Sequence, residues 1–391
     1  MVIAPDMGRD IQGYVDTLAP ALIDLSHRIH ANPELGLRET KASAWCTELL
    51  RSYGFEVVSP LAGMETAFRA SKGTGRPAVS FLAEYDALPG VGHACGHNVI
   101  GASAVGAGIA LAAVLEKAGL GATIIVDGTP AEETVGGKIP LVEQGLYKDI
   151  DAVISMHPDT RSSVGGTCLA VKSLVFSFHG KSAHAAAEPE KGINALDAVI
   201  QTFNNINALR QHVKPDVRLH GIVTQGGRAS NIVPDFAQAE FSVRAADMGY
   251  FRDLLERVRN CARAAATATG ARLDIAEEPT FEPAKDNRTL SRLGLEVLAE
   301  LSIPAEDHSG RLQPASTDFG NVSQALPAVV FSLKIAPSGT VCHHADFARA
   351  AASTEADACV VSAAKAMAIL GARLVGNPEV LKEAWAEFRQ E

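Results

Sequence analysis

The sequence predicts an α/β fold: a domain built on a mainly parallel sheet, interrupted by a smaller inserted α+β domain. Three observations point to it. Apolar runs of strand length, PAVSFLA (Pro77 to Ala83), ATIIVD (Ala122 to Asp127) and AVIS (Ala152 to Ser155), alternate with helical patterns. Near Val171 the pattern changes to period-two alternation and a β-α-β-β-α-β order, that of a ferredoxin-like sandwich. The helix–strand alternation of the first kind resumes near Asn287. At 391 residues the chain is too long for one ordinary core. The expected boundaries are 1–170 and 285–391 for the two parts of the larger domain and 171–284 for the insertion.

Taken in order, residues from Ile11 to Tyr53 have helical spacing, broken at HANPELG (His30 to Gly36), where the Asn-Pro pair disfavours helix. Short strands are expected at Phe55 to Val58 and Thr66 to Ala70, before PAVSFLA. The uncharged run Val99 to Leu115 approaches membrane-spanning length, but it is rich in Gly and Ala and directly follows a polar loop. It reads as a tightly packed interior helix. A helix from Lys138 to Gln144 follows ATIIVD, and Met156-His157-Pro158 follows AVIS. The insertion holds a strand in VKSLVFSFHG, a helix from Ile193 to His212, strands at Arg218 to Thr224 and Ala237 to Arg244, a helix from Tyr250 to Thr269 and a strand at Ala271 to Ile275. The chain closes with an Ala-rich helix through Leu370 and a short helix from Pro378.

Composition narrows the function. With 45 acidic and 35 basic residues the formal charge is -10, and no long Lys/Arg cluster interrupts the balance. That excludes a nucleic-acid role, which needs a basic face. The six cysteines are scattered without framework spacing and read as reduced thiols. The N-terminal MVIAPDMGRD lacks a charged segment followed by an apolar run, so no secretory signal is expected. The expected location is cytoplasmic.

Chemistry-bearing residues gather in four places, each at a predicted strand end. Glu84 to Asn98 (EYDALPGVGHACGHN) carries Asp86, His93, Cys95 and His97 in a Gly-flanked loop. A thiolate and imidazoles so close suit a borderline-soft divalent cation. GTPAEE brings Glu132 and Glu133, adjacent carboxylates that point different ways, so one can ligate while the other moves protons. His157 follows AVIS, and Cys342-His343-His344 precedes the last long helix. Each pattern alone has a plain structural explanation: an acidic pair at a helix start, a histidine bonded to backbone, a histidine cap. Together, at one edge of an α/β sheet where ligands bind, they provide enough ligands for two metal ions.

GHACGHN, GTPAEE, the later histidine, GKSAHAA, NIVPD and HHADF run in order over nearly the whole chain. In this the sequence resembles the amidohydrolase branch of the aminoacylase and glutamate-carboxypeptidase family of dinuclear metallohydrolases, which includes hippurate, auxin-conjugate and p-aminobenzoyl-glutamate hydrolases. HANPELG is typical of the branch. AEYDALPGVGHACGHN and STDFGNVS (Ser316 to Ser323) are most similar to its p-aminobenzoyl-glutamate hydrolase and dipeptidase-like members.

The resemblance implies a zinc-peptidase-like catalytic domain and an inserted lid or dimerisation domain, hence a homodimer. It implies two divalent ions per subunit (Zn, Mn or Co) held by Cys95 as bridge, by His97 and His157, and by Glu133 and His343. His343 is preferred to His344 because it stands four residues before Phe347. Asp86 matches the residue that orients a neighbouring ligand, and Glu132 the general base. His184 in GKSAHAA is implied as an oxyanion donor, with Asn231 and Arg244 as substrate contacts. One position departs from the aspartate-using members: their histidine two residues before Asp86 is here Glu84, which leaves the role of Glu84 open, and His93 has no ligand role. The expected activity is metal-dependent hydrolysis of the amide bond of a small N-acyl amino acid, aminobenzoyl-glutamate-like compound or dipeptide. Hydrolytic deamination at another C–N bond and a metal-stabilised binding protein without turnover are the alternatives. The spare carboxylate Glu132 speaks against the last.

Overall fold

The computed structural model describes residues 5–390, so the first residues of MVIAPDMGRD lie outside it. The chain divides into two compact units. One comprises the chain through Thr167 together with Ala284–Arg311 and the chain from Thr317 onward; the other comprises Cys168–Pro283 and the short segment Leu312–Ser316.

The first unit is organised on an eight-stranded sheet. Its centre is Thr123–Gly128, Ala78–Ala83, Ala152–Asp159 and Ala328–Lys334, neighbouring strands that all run parallel. Glu56–Val58 and Phe68–Lys72 extend one side antiparallel. Strands covered on both faces have no polar side to show, which is why Ala78–Ala83 is buried at every position and reads as an unbroken apolar run.

The run expected to be interior is the helix His97–Ala118, which packs against Pro5–Ala31 and Thr354–Gly376. The close approach uses small residues: a Cβ on Gly106 would stand 2.4 Å from Leu22 Cδ1. Both His97–Ala118 and Thr354–Gly376 are long and apolar enough to cross a bilayer, yet 94% and 67% of their apolar windows are buried inside the protein. Pro5–Ala31 ends where HANPELG begins. At the other end of the interior helix, Gly96 adopts φ 79°, and a Cβ there would meet Pro158 Cγ at 2.7 Å. Only glycine lets the loop turn into the helix at that point.

One strand differs from its expected extent. It continues from Ser155 to Asp159, because His157 and Pro158 stay in register with Ser332 and Leu333 of the neighbouring strand. His157 therefore stands inside the strand, near its carboxyl end, rather than after it.

The second unit has a four-stranded antiparallel sheet in the order Arg272–Glu277, Ala170–His179, Phe236–Ala245, Arg218–Gln225. With the helices Ala195–Leu209 and Met248–Thr269, this is the ferredoxin-like order. Phe176, Phe178, Phe241 and Phe251 fill its core. The helix starts are fixed by Asn194 and Asp247, whose side chains accept from the backbone N–H of Leu196 and of Tyr250 respectively.

Candidate metal centre

Asp86 leaves the carboxyl end of Ala78–Ala83 and is buried. Its Oδ1 lies 2.8 Å from His97 Nδ1 at the start of the interior helix, and its Oδ2 accepts from the backbone N–H of Glu133 at 3.0 Å. A carboxylate oxygen accepts, so His97 donates its Nδ1–H to Asp86 and turns Nε2 away from it. That Nε2 is buried without a hydrogen-bond partner, as is Oε1 of Glu133, 3.8 Å away. Burial opposes charging of His97, but Asp86, Glu84 and Glu133 outweigh it and hold the imidazole well above its ordinary pKa.

His157 is oriented the same way. Its Nδ1 donates to the Pro158 carbonyl at 2.7 Å, leaving Nε2 3.3 Å from Cys95 Sγ. Cys95 sits in the Gly-flanked loop, and across from it stands Cys342, with the two sulfurs 3.7 Å apart. His343 takes the left-handed φ of 65° and donates its backbone N–H to Ala94. Its Nε2 lies 3.4 Å from Glu133 Oε1. His344, by contrast, caps the helix Ala345–Ala350 with its ring, which accepts from the backbone of Asp346. The two neighbouring histidines thus separate: one faces the carboxylate, the other ends a helix.

Beneath the cluster is a buried ion network. Lys138 Nζ lies 2.5 Å from Asp318 Oδ1 and 2.8 Å from Glu84 Oε1, all three side chains nearly inaccessible to water. Asp318 Oδ2 also accepts the Lys138 backbone N–H at 2.9 Å. Glu84 reaches upward as well, with Oε2 3.4 Å from His97 Nε2. Burial, followed by the charges of Asp318 and Glu84, pushes the Glu132 carboxyl well above the usual range, against the pull of Lys138. Glu133 goes the other way: burial is outweighed by His343 and His97, and its pKa falls to about 2. The adjacent carboxylates are therefore electrostatically distinct.

His93 is buried against the ring of His30, 6.0 Å between centroids, and burial holds its pKa down to about 3. His184, Asn231 and Arg244 belong to the second unit. There His184 Nδ1 accepts from the backbone of Ala186 and Ala187, which places its proton on Nε2 and leaves that group as a donor. Asn231 is its neighbour across a backbone hydrogen bond to Ala185. Arg244 donates to Ser316 at 2.8 Å and makes no ion pair with a carboxylate among the described residues.

The donor set fits divalent metal. Cys95, His97 and His157; Cys95, Cys342 and His343; and His97, Glu132 and Glu133 each offer ligand atoms within 4.8 Å of one another. Buried polar atoms left unpaired are costly unless something occupies them. Among the buried atoms without a hydrogen-bond partner are His97 Nε2 and Glu133 Oε1, which have the chemistry to meet a cation. Mixed N, O and S donors at the carboxyl edge of a parallel sheet mark the chain as one built to hold divalent metal at a ligand-binding crevice.

The chain belongs to peptidase family M20/M25/M40, whose match spans residues 80–366. It is 36% identical over 399 residues to a Xaa-Arg dipeptidase of Mus musculus, covering 96% of this chain and 90% of the relative. It is 32% identical over 300 residues to one of the p-aminobenzoyl-glutamate hydrolase polypeptides of Escherichia coli (strain K12), covering 72% of this chain and 62% of the relative. Among solved structures, the Bacillus subtilis YXEP protein, described as a dinuclear metal binding peptidase from M20 family, shares the fold. The TM-score is 0.68 at 22% identity, over 91% of this chain and 99% of that one. The likeness drawn from the motifs holds.

Sequence reasoning gave Lys138 and Asp318 no role, and named Cys342 in its cluster without making it a ligand. Lys138 is an ordinary helix-start residue by pattern. Asp318 lies in the STDFGNVS motif, which signals a family likeness but no contact. Removing one member of a buried ion network strands the others. Lys138→Met is expected to destabilise the first unit by about 3–5 kcal/mol. Lys138→Met with Asp318→Asn should recover part of that loss. Urea midpoints of the two variants against the parent check it, and an unchanged midpoint for Lys138→Met contradicts it.

Proposed function

We propose that this protein is a metal-dependent hydrolase of the amide bond in a small N-acyl amino acid, aminobenzoyl-glutamate-like compound or dipeptide. One observation carries the reading: Cys95, His97, Glu133, His157 and His343 lie close together in overlapping groups, with a further carboxylate, Glu132, beside them. The named activities of the dipeptidase and p-aminobenzoyl-glutamate hydrolase relatives support the amide substrate class. Two divalent ions (Zn, Mn or Co) are the cofactors in this reading. Cys95, His97 and His157 would hold one, and Cys95, Glu133 and His343 the other.

Cations held there would supply Lewis acidity toward the scissile carbonyl and the attacking water. The chain's own residues do the rest. Asp86 holds His97 in the orientation that presents Nε2, and fixes the loop that carries Glu133. Glu132 takes the proton of the attacking water and returns it to the leaving amine, which departs neutral. His184 donates its Nε2–H to the developing oxyanion, where a donor stabilises the transition state more than the bound substrate. Asn231 and Arg244 contact the substrate, the guanidinium meeting its carboxylate.

The assembly in this reading is a homodimer through the second unit. The edge strand Arg218–Gln225 supports it, since Ile222 and Val223 are 63% and 47% exposed on a strand with one unpaired side. A cytoplasmic location agrees with six cysteines that are all free.

The direct test measures released amine from a panel of N-acyl amino acids, dipeptides and p-aminobenzoyl-glutamate, with Zn²⁺, Mn²⁺ or Co²⁺ supplied after chelation. Activity should vanish on chelation and return with metal; turnover unaffected by chelation would reject the reading. In the same assay Glu132→Gln should keep its metal and lose about a hundredfold or more of kcat. Loss of metal in parallel with activity would instead exchange the roles of the two glutamates.

His184→Ala should lower kcat by about two to three powers of ten with metal content intact. Mixing His184→Ala with Glu132→Gln subunits then tells whose histidine serves which site. If the partner supplies it, a mixed dimer has one site with both defects and one with neither, and activity reappears. If each site uses its own, mixing restores nothing. An unchanged kcat in His184→Ala alone removes this histidine from the chemistry.

A further inference from the structure

Cys342 faces the candidate metal centre, its thiol also donating to the Ala94 carbonyl at 3.5 Å. Cys342 and His343 lie in a turn just before the helix Ala345–Ala350, with a left-handed φ of 65° at His343. Non-glycine residues adopt this conformation only at a cost, and it is held where surroundings enforce it. The hydrogen bond from the His343 N–H to the Ala94 carbonyl at 2.9 Å is one such restraint. In this turn Cys342 Sγ lies 3.7 Å from Cys95 Sγ, while His343 Nε2 lies 3.4 Å from Glu133 Oε1. The ligand atoms of Cys95, Cys342 and His343 all lie within 4.8 Å of one another.

The sulfur–sulfur distance is informative. It is far longer than a disulfide bond, about 2.05 Å. Two thiolates on one tetrahedral zinc, each about 2.3 Å from the metal, stand about 3.8 Å apart. The observed 3.7 Å agrees with that separation. Glu133 Oε1, beside His343 Nε2, is buried with no hydrogen-bond partner and completes the same donor set.

We infer that Cys342 is a second thiolate ligand, sharing with Cys95, Glu133 and His343 one of the two ions. This rests on the metal-site reading above and extends it. On ligation the Cys342 thiol gives up its proton to solvent as the sulfur–metal bond forms. An ion bound through two sulfurs is a borderline-soft one, because hard cations favour carboxylate and water oxygen. The site holding Cys342 therefore selects Zn²⁺ over Mn²⁺, whereas the site of His97 and His157 shares only the bridging sulfur.

The test uses the full-length protein loaded with Zn²⁺, and separately with Co²⁺, in the parent, Cys342→Ser and Cys95→Ser. Cys342 is exposed, so its serine variant removes the sulfur without emptying a core position. Zinc-edge X-ray absorption reports sulfur neighbours, and the cobalt form reports thiolate-to-metal charge transfer. With Cys95 bonded to both ions and Cys342 to one, Cys342→Ser should lose about a third of the metal–sulfur signal. Zn²⁺ bound to that variant should also yield more readily to excess Mn²⁺. A full-strength sulfur signal in Cys342→Ser overturns the second thiolate while leaving the five-residue site intact. If Cys95→Ser also keeps full signal, the metal-site reading fails with it.

Discussion

The two oxygens of Asp86 carry the arrangement. One meets His97 and the other the backbone of Glu133, so a single buried carboxylate joins the strand-end loop, the interior helix and the GTPAEE turn. An unsatisfied buried carboxylate is costly, so these bonds are enforced by the fold itself. They fix the ring orientation of His97 and the place of Glu133 before any ligand arrives. The backbone carbonyl of Pro158 does the corresponding work for His157. Presenting ligand nitrogens this way reduces the rearrangement that a metal demands.

Charge is the second constraint. Glu84, Glu133 and Asp318 place much negative charge near the carboxyl edge of the sheet, and with burial it drives the Glu132 carboxyl toward its neutral form. Lys138 is the buried cation that answers part of it, through Asp318 and Glu84. Such a network is weak as a source of stability but strict about geometry, since each member is costly without the others. The anionic charge that Lys138 leaves uncompensated is what favours divalent cations. It also separates the two glutamates of GTPAEE, which differ in surroundings although they are adjacent in sequence.

Much of this was legible in the residues. Parallel strands covered on both faces must be continuously apolar, so PAVSFLA and ATIIVD declared themselves, and the insertion showed its half-covered strands by alternation. Candidate ligands fell at strand ends because α/β folds open a crevice there. What stayed hidden depends on partners distant in the chain. Lys138 looks like a solvated lysine until Asp318, 180 positions later, meets it. Strand pairing with Ala328–Lys334 carries His157 into the sheet, and no local pattern around Pro158 announces that. Cys342 faces inward beside a left-handed backbone angle at His343, and a histidine in that conformation carries no sequence signal.

Two cations joined by Cys95 are the centre of the functional account. Anomalous diffraction from crystals of the zinc-loaded protein, recorded on both sides of the zinc edge, tests this most directly. The account predicts two peaks in the first unit, with Cys95 Sγ between them, one beside His97 and His157 and the other beside Glu133 and His343. A single peak, or two peaks with Cys95 bound to neither, would contradict it.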